Sequence, residues 1–159
     1  DVDLEDRKFD MVFTSPPYFH VERYSFGENE ETQSWKRYGK NIDDWLRGFL
    51  YPTLESCWNS LNDGGTMIIN IADVHATDNG INKYVQICDP MNDFISQLTG
   101  AHYSGCFGLK LSKRPLSNND NQDSKNKTIV EPMWVWKRGE DMPLDDIIDD
   151  SFPLSKFFM

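Results

Sequence analysis

Ser15-Pro16-Pro17-Tyr18 is the string in this chain whose residue types fit a definite chemistry. An exocyclic amine on a nucleobase is a poor nucleophile, because its lone pair is delocalised into the ring. A protein that alkylates such an amine must accept its N–H hydrogen bonds, so that the lone pair localises and points at the incoming carbon. A short side-chain oxygen and a main-chain carbonyl beside a proline do this without titrating. Two consecutive prolines hold φ near −65° and force the preceding residue extended, so the acceptors are fixed before the substrate arrives. The ring of Tyr18 then offers a stacking face to a base that has left its helix. Asp73 and His75 follow a later apolar segment, where they either border a pocket or are polar groups of a loop. Cys57, Cys88 and Cys106 form no C-x-x-C pair, and no His/Cys/Asp cluster has metal-ligand spacing.

The elements that must hold this corner can be read from pattern. Phe9 to Thr14 (FDMVFT) is a short apolar run rich in β-formers, and it predicts a buried strand ending where the prolines begin. Residues 19 to 41 have no clear period and predict a long loop. Its Phe19, Tyr24, Phe26, Trp35 and Tyr38, interleaved with Arg23, Lys36 and Arg37, either fold back as buried aromatics or form a flap over the base and backbone. Ile42, Trp45, Leu46, Phe49 and Leu50 have helical spacing, continued by Leu54, Cys57, Trp58 and Leu61. Asn41 is placed to cap that helix, Pro52 to kink or split it, and Asn62-Asp63-Gly64-Gly65 to end it in a turn. Thr66 to Ile71 predicts a second buried strand, residues 83 to 98 a helix with Pro90 early in it, and Tyr103 to Leu111 a third strand. Residues 117 to 127 predict a polar loop. Ile129 to Trp136 predicts a last strand, with Pro132 marking an edge or a bulge. Alternation of strand and helix predicts an α/β fold, a mostly parallel sheet with flanking helices and an antiparallel C-terminal edge hairpin. Residues 1–139 are expected to form the domain and 140–159 an acidic tail of unassigned role.

FDMVFTSPPYF resembles the catalytic motif of the amino-methyltransferases that make N4-methylcytosine and N6-methyladenine in DNA. LNDGGTMIINIAD is similar to that family's next segment, and EPMWVWKRG to its late sheet strand, so the resemblance spans most of residues 9 to 139. It implies a partial Rossmann-like S-adenosylmethionine methyltransferase fold, with S-adenosyl-L-methionine as cofactor and DNA with a flipped base as substrate. Ser15, Pro16, Pro17 and Tyr18 would be catalytic, with Ser15 and the Pro16 carbonyl accepting from the amine. Thr14, Ser15 and Asp73 would contact the cofactor, and Tyr18, Phe19, Arg23, Lys36 and Arg37 the nucleic acid. The Ser form of the motif favours cytosine N4, with adenine N6 the alternative; an RNA target has the same chemistry. The family's Phe-x-Gly-x-Gly cofactor turn is absent. The chain also starts without Met, so a complementary segment before residue 1 or after residue 159, or a partner subunit, is expected to carry that turn. The contrasting reading is a non-catalytic partner or degenerate module.

The net charge of −10 argues against tight DNA binding by the chain alone. With 38% hydrophobic residues the chain is too apolar to be wholly disordered. No apolar run approaches the ~20 residues of a membrane-spanning helix, so no membrane partner is expected. The cysteine pattern predicts small buried thiols in a reducing compartment. Together with the resemblance, this implies the cytoplasm in a bacterial, phage or viral restriction–modification setting, or the nucleus in a eukaryote.

Overall fold

A computed structural model of the chain describes residues 7–20, 33–39, 41–110 and 130–139. Four strands form the main sheet: β1 (Phe9–Thr14), β2 (Leu61–Asn70), β5 (Ala101–Lys110) and β6 (Val130–Arg138), in the order β1-β2-β6-β5. β1 and β2 are parallel, and β6 is antiparallel to both its neighbours, so β1, β2 and β5 share a direction and β6 opposes them. The fold is mixed α/β, and the expectation of a mostly parallel sheet is corrected: one of the three pairings in this sheet is parallel and two are antiparallel. The expected closing hairpin exists, but β6 is inserted beside β2 and β5 is the edge. Pro132 is tolerated inside the sheet because β6 overhangs its neighbour: its pairing with β2 stops at Met133↔Asn70, while Pro132 still faces Gly108 of β5.

The core lies on one face of this sheet. Met67, Ile69 and Trp136 are packed there, and register places Val12 beside Met67 and Trp134 beside Ile69. The opposite face carries Met11 and Phe13, 60% and 59% exposed. The expectation of a buried first strand is therefore corrected, although its bounds are as read. β1 is a sheet edge, and an alternating strand there buries only the side chains that face the helices.

Helices supply the other half of the core. α1 (Ser34–Tyr38) lies within the segment expected to be loop. α2 (Ile42–Trp45), a π-helical turn (Leu46–Leu50) and α3 (Tyr51–Asn59) follow without a break. Asn41 caps the start, its side chain accepting from the Asp44 amide at 2.9 Å. Pro52 neither ends the helix nor splits it. Its ring would crowd the preceding turn, and the wider π turn, closed by the Tyr51 amide donating to the Leu46 carbonyl, takes up that strain. The buried positions across this run are Trp45, Leu46, Leu50, Leu54 and Trp58. Each such side chain contributes about 2 kcal/mol or more on burial.

Two further corrections concern residues 61–98. The Asn62–Gly65 turn is a bulge inside β2: between Phe9↔Leu61 and Met11↔Thr66, β1 advances two residues and β2 five. The helix expected over 83–98 begins only at Cys88, as α4 (Cys88–Ser96), with Pro90 in its first turn. Before it comes an antiparallel hairpin of β3 (Val74–Asp78) and β4 (Ile81–Val85). Its two-residue turn has Asn79 at φ 51° and Gly80 at φ 77°, the pair of left-handed residues that an Asn-Gly hairpin turn requires. Among the described residues no helix is long and apolar enough to cross a membrane. The loop at 117 to 127, the tail 140–159, and Arg23, Tyr24 and Phe26 of the expected flap lie outside the described residues.

Candidate functional site

Parallel pairing brings the C-terminal ends of β1 and β2 to one rim of the sheet. Thr14 pairs with Ile69, so Ser15 comes abreast of Asn70, and the start of β6 closes the group from the far side of β2. Ser15 and Asn70 follow Phe13 and Ile68 by two residues, which places both on the sheet face turned away from the core. Ser15 is exposed, Pro16 is buried and Pro17 half-buried. The Ser15 hydroxyl donates to Asn70 Oδ1 over a long 3.5 Å. The Asn70 side-chain amide in turn donates to the Pro132 carbonyl at 3.2 Å.

Tyr18 ends the corner turned inward. It is 8% exposed, and its hydroxyl lies 3.3 Å from the Asn70 carbonyl and 3.5 Å from Glu131 Oε2. One phenolic proton serves one of these acceptors at a time. The ring is therefore not a free stacking platform in this arrangement, contrary to the expectation. It packs the proline corner onto the ends of β2 and β6.

Phe19 also departs from the expected contact with nucleic acid. It is fully buried, stacked on His20 at 4.0 Å and set edge-on to Trp45 at 5.6 Å. Its backbone has φ 48°, and its amide donates to the Pro17 carbonyl at 3.0 Å, closing a three-residue turn over Tyr18. A left-handed conformation at an aromatic residue costs about 1–2 kcal/mol, and the buried ring holds it there. The corner is thus strained, and such strain persists where packing over-determines the backbone. Trp45 also donates to the Ser34 hydroxyl at 3.2 Å, which ties α1 to the same cluster. α1 carries Lys36 and the exposed Arg37, whose guanidinium lies 5.3 Å from the Tyr38 ring centre.

Asp73, expected at the cofactor, is otherwise engaged. Its Oδ1 accepts from the Ile87 amide at 2.7 Å and the Cys88 amide at 2.8 Å, and its Oδ2 from the Tyr84 hydroxyl at 3.0 Å. Burial pushes this carboxyl up, but the Cys88 and Ile87 amides and the Cys88 and Tyr84 side chains outweigh it and hold it below its ordinary value. The carboxylate caps α4 and staples it to β4, which satisfies amides at a helix start that have no partner within the helix. Burial and the Asp73 charge together push the neighbouring Cys88 thiol up to about 12, so it is an inert thiol. Cys57 and Cys106 are half-buried rather than fully buried, and all three cysteines are free.

Neither Asn70 nor Glu131 is among the site residues singled out from the sequence. The available signal was a polar residue interrupting an apolar strand run, in TMIINI and in IVEPMWVW. Among the described residues, a cleft of about 250 Å³ between Trp58, Leu98 and Arg138 lies at the opposite end of β6 and takes no part in this group. Comparison with protein-family models, with curated proteins and with solved structures finds no match to this chain.

Proposed function

We propose that this chain carries the amine-accepting part of a DNA amino-methyltransferase site, with cytosine N4 the favoured target and S-adenosyl-L-methionine the methyl donor. The observation that carries the reading is the exposed Ser15 hydroxyl on a proline-locked corner at the C-terminal rim of a parallel strand pair, where open α/β sheets bind their ligands. Ser15 Oγ and the Pro16 carbonyl accept the two N–H bonds of the target amine and turn its lone pair outward. Tyr18 and Phe19 hold the corner in place by packing.

The described residues do not fit a complete cofactor pocket. Asp73 is consumed by α4, and no Phe-x-Gly-x-Gly turn exists in the sequence. The donor would be held by a complementary segment or partner subunit, and no step of the chemistry is assigned to it. These two facts, with the covered ring of Tyr18, also favour a second reading, a non-catalytic module.

Methyl transfer decides between the readings. The full chain is incubated with labelled S-adenosyl-L-methionine and DNA, alone and with a segment bearing the missing turn, and the product nucleosides are identified by mass spectrometry. N4-methylcytosine that disappears in Ser15→Ala supports the proposal. No heat of cofactor binding and no transfer in either mixture supports the non-catalytic module. Transfer that survives Ser15→Ala removes the site.

A further inference from the structure

Asn70 does more than fill a gap between strands. It is 6% exposed, and its side chain sits between an acceptor on β6 and a hydroxyl on the β1 corner. The chemistry of the β6 side fixes which way the amide faces. A carbonyl can only accept, so the atom 3.2 Å from the Pro132 oxygen must be the Asn70 nitrogen. That carbonyl lies just beyond the last β2–β6 pair, Asn70↔Met133, so the side-chain amide replaces a ladder donor that β2 no longer supplies. With nitrogen towards β6, the Asn70 oxygen faces Ser15 Oγ. An amide oxygen only accepts, so the bond between them has Ser15 donating.

From this we infer that Asn70 is a positioning residue that sets the polarity of Ser15. It draws the single Ser15 proton inward and leaves the outward lone pairs as acceptors. A ligand arriving at the exposed side of Ser15 then meets an acceptor and not a donor. This selects bases bearing an amino group at the contacted edge, such as cytosine, over bases bearing a keto oxygen there, such as uracil, because two facing acceptors leave both unpaired. The prolines reinforce the effect: neither Pro16 nor Pro17 has an N–H that could occupy the Ser15 lone pairs. The Asn70 main-chain carbonyl also lies 3.3 Å from the Tyr18 hydroxyl, so one residue locks both ends of the corner. The inference deepens the proposed function and rests on it for the identity of the ligand; the polarity argument itself concerns binding alone.

The test is a binding ratio. Single-stranded oligonucleotides with one cytosine, or one uracil, in an otherwise abasic context are titrated against the full chain by fluorescence anisotropy. The wild-type chain is expected to favour cytosine about tenfold. Asn70→Ala, with its fold checked by thermal unfolding, should bring the ratio to within about twofold, and Ser15→Ala should do the same. Asn70→Asp keeps an acceptor facing Ser15 while losing the bond to Pro132, so it should retain the preference at weaker overall affinity. A merely structural role predicts the reverse, since Asp is the more disruptive residue beside a carbonyl. If Asn70→Ala fails to fold, Asn70→Asp against Ser15→Ala decides the matter: preference kept in the first and lost in the second supports the inference. An undiminished ratio in folded Asn70→Ala, or a ratio lost in Asn70→Asp, overturns it and leaves the methyl-transfer proposal standing. A wild-type chain that binds both probes equally overturns it as well, and methyl transfer measured separately shows whether the larger proposal falls too.

Discussion

Two neighbouring strand ends, one after β1 and one after β2, point to the same rim of the sheet, yet they treat their polar residues in opposite ways. After β1, Ser15 is exposed, no donor among the described residues reaches its hydroxyl oxygen, and the next two residues are prolines that bring no N–H. After β2, Asp73 accepts from two main-chain amides and a tyrosine hydroxyl. The difference comes from what each residue meets. α4 starts beside Asp73 and brings free amides that a carboxylate satisfies well. Among the described residues nothing comparable starts beside Ser15. A polar residue at a strand's C-terminal end is therefore available for chemistry only where the neighbouring backbone makes no demand on it.

The contrast breaks most sharply by substitution at the two ends. Ser15→Ala should lower methyl transfer by about 100-fold or more, the usual weight of a positioned acceptor, while unfolding stability stays within about 0.5 kcal/mol. Equal losses of activity and stability would erase the distinction. Asp78→Ala is expected to cost about 2–3 kcal/mol in chemical denaturation. That carboxylate is 2% exposed, accepts from the Ile42 amide at 2.9 Å and pairs with Lys83 at 2.7 Å, so it binds the β3–β4 hairpin to the start of α2. Asp73→Ala should cost about 1 kcal/mol, as the loss of a helix cap does, and should leave methyl transfer by the assembled enzyme unchanged once the protein is folded. A large activity loss with unchanged stability would return Asp73 to the cofactor.

The smallest expected effect is the pH dependence of stability. The Asp73 carboxyl lies below its ordinary value in the folded chain, so its contribution is fully present above the unfolded pKa of about 3.9 and is lost as the pH falls through the lower folded value. The gap in unfolding free energy between wild type and Asp73→Asn should be constant from neutral pH down to about 5 and close below about 4. Asp78 is held low in the same sense. Burial pushes it up, and the Lys83 and Ile42 hydrogen bonds with the Lys83 and His20 charges outweigh that, so it remains titrating in the variant. A gap that widens on acidification would reverse the assigned role of the carboxylate.

The candidate corner was legible because its cause is local: prolines remove donors and lock φ wherever they stand. The bounds of β1, the capped helix after Asn41 and the strand pair β5–β6 were legible for the same reason, through period and capping chemistry. The Asn79-Gly80 turn was equally local and was passed over when the KYVQI run was read as helix; the positive φ pair corrects that reading. Other features had no local signal. That Tyr18 and Phe19 turn inward depends on β2, β6 and α2 arriving from 26 or more residues away.

The amino-acid sequence by itself determined where the chain must be extended, helical or bent, and which corner is stiff and rich in acceptors. Those properties follow from φ restriction, side-chain period and missing N–H groups, which need no distant partner. Tertiary structure alone decided which groups stay available. A hydroxyl, a carboxylate and a tyrosine ring compete for partners brought together from the ends of separate strands. The start of α4 and Tyr84 of β4 gave partners to Asp73, the ends of β2 and β6 gave them to Tyr18, and Ser15 stayed exposed.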